Sequence, residues 1–171
     1  MEGEVRMVPG MNLRSKLLTE TSLGDWRDAH RRAGRRLVVT NGCFDLLHLG
    51  HVTYLESARS LGDVLLIGVN SDDAVRTLKG PQRPVNEEID RALVLAALES
   101  VDGVFIFRSA TATDFLKSAA PDIYVKGGDY TLETLNQDER RAVEGGGGRI
   151  VLIPFVPGKS TTATLAKIAR L

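Results

Sequence analysis

Five short runs rich in valine, isoleucine and leucine recur along the chain, and each consecutive pair is separated by a stretch whose apolar residues have helical spacing. The runs are Arg36 to Thr40, Val64 to Val69, Gly103 to Phe107, Asp122 to Val125 and Arg149 to Ile153. None of the connections carries the short turn signal of a hairpin. Strands joined through helices run parallel, and a parallel sheet is stable only with both faces covered. The pattern predicts an α/β fold: a single Rossmann-like, doubly wound, five-stranded parallel sheet. Right-handed crossovers give it the expected strand order 3-2-1-4-5. Strands 1 and 4 are then neighbours whose connections leave to opposite faces, so a ligand crevice is expected above their carboxyl ends.

Helix signals fill the gaps. Leu23, Trp26, Ala29 and Ala33 share one helical face, and Val52, Leu55, Ala58 and Leu61 share another. Asn86 is expected to cap a helix reaching about Leu98, Thr111 to Ala119 forms a further helix, and a polar one runs from about Leu132 to Val143. Residues 1–20 mix Gly, Pro, Met and charge without periodicity and read as a flexible leader, which leaves 21–171 as one domain.

The first strand passes into the polar turn Asn41-Gly42, the segment Cys43-Phe44-Asp45, and then His48-Leu49-Gly50-His51 at the start of a helix. A strand, a tight loop and a helix N-terminus aim backbone N–H groups at one point, which suits a phosphate. Two imidazoles there can donate hydrogen bonds to phosphoryl oxygens as charge builds. Phosphoryl and nucleotidyl transfer ask mainly for in-line positioning and charge stabilisation, with no covalent step.

Plainer readings compete with this one. His48 can cap the turn while His51 is solvated, or the pair can hold zinc, although no Cys or further His accompanies them. Cys43 lacks a nearby base to make it a nucleophile. Gly158-Lys159-Ser160-Thr161 resembles the end of a P-loop, but that motif needs glycine where Ile153 stands.

Lys and Arg number 22 and Asp and Glu also 22, so overall charge points to neither nucleic acid nor an anionic membrane. One cysteine excludes an intramolecular disulfide and fits a reducing compartment. No stretch has the length of a membrane span or the pattern of a signal peptide, so a soluble, cytoplasmic protein without membrane or nucleic-acid partners is expected.

TNGCFDLLHLGH, followed in order by GVNSD, LKGPQRPVN, DRALVLAALESVD, DIYVKGGDY and PGKSTT, resembles the nucleotidyltransferase superfamily with the HxGH signature. Within it the chain is most similar to the bacterial D-glycero-β-D-manno-heptose 1-phosphate adenylyltransferases, over about Leu23 to Ile168. The resemblance implies transfer of AMP from ATP to the sugar 1-phosphate, giving ADP-heptose and pyrophosphate for lipopolysaccharide or related glycans. It implies that His48 and His51 hold the triphosphate and stabilise the α-phosphorus. Lys79 would balance substrate charge from a loop over the site. Asn41, Gly42, Cys43, Phe44 and Asp45 would border the nucleotide, Arg91 would bind phosphate, and Lys126, Gly128 and Asp129 would face them across the crevice. Ser160, Thr161 and Thr162 would contact the nucleotide from the last helix. Mg²⁺ is expected to arrive with ATP, with no dedicated metal site. Relatives often carry a sugar kinase on the same chain. At 171 residues this chain is too short for one, so a separate kinase is expected to supply the acceptor. A homodimer is the family expectation. Other superfamily chemistry, cytidylyl transfer or FAD synthesis, is the alternative. A nucleotide-binding module without turnover is a third reading.

Overall fold

A computed structural model describes residues 12–128, 130–154, 161–168 and 170, with only the backbone of 162 and 163. Expectations for residues 1–11, Asp129, Lys159, Ser160 and the side chain of Thr162 lie outside the described residues.

In chain order the elements are β1 (Leu17–Leu18), α1 (Glu20–Arg32), β2 (Leu37–Gly42), α2 (Leu49–Arg59), β3 (Val64–Asn70), α3 (Asp72–Lys79), α4 (Glu88–Ala96), β4 (Gly103–Phe107), α5 (Thr113–Ala119), β5 (Ile123–Gly127), α6 (Gln137–Gly145), β6 (Arg149–Ile153) and α7 (Thr161–Ile168). All strand pairs are parallel, in the order β1-β4-β3-β2-β5-β6. The expected five-stranded sheet of order 3-2-1-4-5 is thus corrected to six strands. The addition is β1, at the edge beside β4, drawn from residues expected in the leader. Leu17 and Leu18 pair with Val104 and Phe105, and Lys16 Nζ donates to the carbonyls of Val101 at 2.7 Å and Leu98 at 3.4 Å. Two residues are too few to show a period in sequence, so tertiary pairing alone creates this strand.

Alternation along the strands sends side chains to two cores. Val39, Leu66, Phe105 and Tyr124 pack on one face with Leu23 of α1, Phe115 and Leu116 of α5 and Val143 of α6. Val38, Leu65, Ile67, Val104 and Ile123 pack on the other with Leu55 and Ala58 of α2 and Ala92 and Leu95 of α4. β3 is buried from end to end, as a central parallel strand must be. The chain leaves β2 through α2 toward β3, and leaves β4 through α5, on the opposite face, to reach β5. That reversal opens a crevice above the ends of β2 and β5.

Several boundaries differ from those expected. β2 continues through Asn41 and Gly42 because both stay in register with Gly68 and Val69 of β3. β5 likewise runs on to Gly127, paired with Ile153. Asn86 does not cap α4. Its N–H and amide are taken by Asp45, and Glu87 stands at the cap. Asn136, not a residue near Leu132, caps α6 by accepting from the N–H groups of Asp138 and Glu139. No described helix is long and apolar enough to cross a membrane.

Candidate active site

A cavity of about 680 Å³ opens where β2, β3 and β5 end. Asn41, Gly42, Cys43, Phe44 and Asp45 form one wall, and His48 and His51 stand above it at the start of α2. Lys79, Lys126 and Thr161 approach from three other elements.

The loop after β2 is held in a costly backbone shape. Phe44 adopts φ 46°, a left-handed conformation that costs an L-residue about 1–2 kcal/mol. A Cβ on Gly42 would lie 3.1 Å from the Phe44 ring, so glycine there lets the ring fold back into the core. Asp45 then anchors the loop. Its carboxylate is buried and accepts from Arg83 Nε at 2.6 Å and from the N–H groups of Val85 at 2.8 Å and Asn86 at 3.1 Å. Burial alone would raise its pKa, but these donors together outweigh it and hold the carboxyl below its usual range.

The imidazoles of His48 and His51 lie side by side at a tilt of 31°, with ring centroids 4.0 Å apart. The backbone N–H of His48 donates to His51 Nδ1 at 3.4 Å, so the neutral His51 ring carries its proton on Nε2. Burial, reinforced by His48 and the Lys79 ammonium, pushes the His51 pKa down to about 4. At neutral pH His51 is therefore an uncharged N–H donor.

Lys126 sits on the cavity floor. Its Nζ donates to Asn41 Oδ1 at 2.8 Å, to the Tyr124 hydroxyl at 2.8 Å and to Glu139 Oε2 at 3.3 Å. Burial lowers its pKa, and the Glu139 carboxylate opposes that shift. Glu139 also accepts from the Ala112 N–H at 2.9 Å and the Tyr124 hydroxyl at 2.8 Å. Behind this network, Tyr54 spans β2 and β5 through Thr40 and the Val125 carbonyl. A Cβ on Gly127 would come within 2.7 Å of the Tyr54 ring, so that close passage requires glycine.

Other anticipated residues sit differently. Lys79 is the last residue of α3, not part of a loop, though it does line the cavity. Arg91 is 2% exposed and does not line the cavity. Its guanidinium donates to the carbonyls of Cys43 at 2.6 Å, Asn70 at 2.8 Å and Asn86 at 2.9 Å, and to Asp72 Oδ1 at 2.8 Å. Gly128, at φ 124°, donates its N–H to the Ile153 carbonyl and continues the β5 edge. Thr161 begins α7 and donates its hydroxyl to the Leu46 carbonyl at 3.3 Å. Burial pushes the Cys43 thiol up, which suits a packed side chain and not a thiolate.

Tyr54, Asn70, Arg83, Tyr124 and Glu139 were not singled out by sequence. Tyr54 and Tyr124 lie inside apolar patterns that read as core, and Glu139 is one acid among several in a polar helix. Only their partners, far away in the chain, mark them.

A parallel sheet wound on both faces, with paired histidines, a lysine and a helix start gathered over the strand ends, defines a doubly wound α/β protein with a polar crevice at its switch point. The chain belongs to the cytidylyltransferase-like family, whose profile matches residues 39–162. It is 49% identical over 154 residues to the bifunctional protein HldE of Syntrophotalea carbinolica, covering 90% of this chain and 31% of that protein. With the bifunctional protein HldE of a Nitratiruptor species the identity is 52% over 143 residues, covering 83% of this chain and 29% of the other. The chain therefore spans about a third or less of the length of these relatives. Among solved structures, the lipopolysaccharide core biosynthesis protein from Thermoplasma volcanium is similar at a TM-score of 0.59 and 26% identity, over 72% of this chain and 98% of that one.

Proposed function

We propose that this domain transfers AMP from ATP to D-glycero-β-D-manno-heptose 1-phosphate, releasing pyrophosphate and forming ADP-heptose. The observation that carries the proposal is the close histidine pair at the start of α2, with a neutral His51 in the same cavity as the charge of Lys79. Similarity to the HldE proteins and to a lipopolysaccharide core biosynthesis protein supports the choice of acceptor.

A phosphate oxygen of the acceptor attacks the α-phosphorus in line. The new P–O bond forms as the bond to the β-phosphate oxygen breaks, and pyrophosphate departs with that electron pair. Nothing in this requires a protein nucleophile. His48 and His51 donate to oxygens on which charge accumulates, and Lys79 offsets the charge of the two approaching phosphates. The nucleotide lies toward Lys126 and Gly128 on the β5 side and toward Thr161 and Thr162 at the start of α7, with Asp129 and Ser160 assigned to it by sequence alone. The acceptor lies toward the β3 and α3 side. Asp45 and Arg91 act through the loop they brace, setting where Cys43 and Phe44 meet the nucleotide.

The family generally uses a divalent cation with its nucleotide. Among the described residues no group of three or more His, Cys, Asp or Glu side chains is placed to hold a metal, and Asp45 is already committed to Arg83 and two backbone N–H groups. A Mg²⁺ ion would arrive with the triphosphate and lower its charge. A sugar kinase supplies the acceptor.

Pyrophosphate release tests the proposal, with one nucleoside triphosphate at a time, Mg²⁺, and a panel of phosphorylated acceptors. ATP with heptose 1-phosphate is expected to give the highest kcat/KM. Release with CTP and glycerol 3-phosphate but not with the heptose pair would replace the proposed substrates with those of a cytidylyltransferase.

A further inference from the structure

Asn70 ends β3, lines the cavity, and is only 3% exposed. Its carbonyl accepts from Arg91, and its Oδ1 lies 3.9 Å from the Cys43 thiol. The buried amide nitrogen of the same side chain has no hydrogen-bond partner among the described residues. Buried amides are nearly always paired, because an NH₂ group stripped of water without a replacement acceptor is unfavourable. A spare donor in a cavity wall is accounted for when a ligand brings the acceptor. The Arg83 side chain also has a buried nitrogen without a partner among the described residues, but Arg83 does not line the cavity.

Charge narrows what that acceptor is. α3 starts two residues beyond Asn70 and returns Lys79 to the same cavity. Lys79, Cys43 and Asn70 all line that cavity, and the Asn70 Oδ1 touches the Cys43 thiol. An amide donor and an ammonium in the lining of one cavity make a place for an oxyanion. The carboxylate on that wall, Asp45, is already engaged by Arg83 and by the N–H groups of Val85 and Asn86.

We propose that Asn70 donates through its side-chain amide to a phosphate oxygen of the acceptor sugar 1-phosphate, with Lys79 supplying the opposing charge. The inference rests on the adenylyl-transfer reading for the identity of the acceptor and for the nucleotide lying on the β5 side. Asn70 is then a specificity contact for the acceptor and leaves ATP binding alone.

Steady-state kinetics of Asn70→Asp and Asn70→Ala test this, with heptose 1-phosphate and ATP varied separately. Asn70→Asp keeps the shape but replaces the donor with a negative group. Its KM for heptose 1-phosphate is expected to rise about tenfold or more while the KM for ATP stays within about twofold. Asn70→Ala is expected to give a smaller rise, about threefold, in the same KM, and it decides alone if Asn70→Asp does not fold. Unchanged acceptor KM values, or equal rises for both substrates, would overturn the proposal. If the wild-type protein releases no pyrophosphate, adenylyl transfer fails, and calorimetry with heptose 1-phosphate decides the contact separately. Binding that weakens about tenfold in Asn70→Asp upholds it, and equal affinity, or no binding to the wild type, overturns it.

Discussion

Lys126 Nζ donates to Asn41 Oδ1 across 2.8 Å, joining the end of β5 to the end of β2 beneath the cavity. The ammonium also meets Tyr124 and Glu139, so all three of its hydrogens have partners inside the protein. Charge, more than a free N–H, is what Lys126 offers a ligand.

Such a pair is far easier to break than to remove. Glu139→Ala leaves a buried ammonium without its counter-charge and is expected to cost about 3–5 kcal/mol in denaturant unfolding. Adding Lys126→Met should restore part of that loss, with a coupling energy of at least about 1 kcal/mol. Strictly additive losses would show that the two side chains are independent.

His51 gives a pH signature. Its folded pKa, about 4, lies below the ordinary histidine value of 6.5, so the unfolded chain takes up the proton first. The stability contributed by this group is complete above about 6.5 and falls as pH drops from there toward 4. NMR of the imidazole nitrogens should show the Nε2–H form at pH 6 and a midpoint near 4. A midpoint near the ordinary histidine value would refute the buried, neutral donor.

Turnover tests the same ring. His51→Ala is expected to lower kcat by about a hundredfold or more, the scale for losing one transition-state donor, with the fold intact by circular dichroism. Near-normal turnover would remove the histidine pair from the mechanism.

Arg91 behaves as a strut. Its guanidinium serves three carbonyls and one carboxylate from three segments of chain. Arg91→Met is expected to destabilise by about 3 kcal/mol or more, and Arg91→Lys by nearly as much, since an ammonium cannot reproduce the planar fork. A phosphate ligand on the cavity wall would instead give variants with normal melting temperatures and weakened substrate binding.

The contrast between Arg91 and His51 marks where sequence reading stops. His48 and His51 are neighbours in the chain, so their spacing alone brings them together at a helix start. The runs that became β2 to β6 were equally legible, because a strand buried on both faces must be apolar throughout. Arg91 looked like a phosphate ligand because its type and position fit one. Its partners Cys43, Asn70 and Asp72 are distant in sequence, and only the folded chain shows that they and Asn86 engage four of its five N–H groups. Glu139 and Asn70 were missed for the same reason. Boundaries erred where pairing overrode local preference: Asn41-Gly42 has the composition of a turn, yet β3 holds it in register.

The shortness of β1 has its own consequence. Residues Leu17 and Leu18 cover only part of the β4 edge, and Lys16 turns its ammonium back onto the carbonyls of Leu98 and Val101. An open margin of a sheet is a template on which a stranger's strand can add. Here that margin ends in two residues with a cation beside them, too brief a row of free peptide groups to seed a growing fibril from this side.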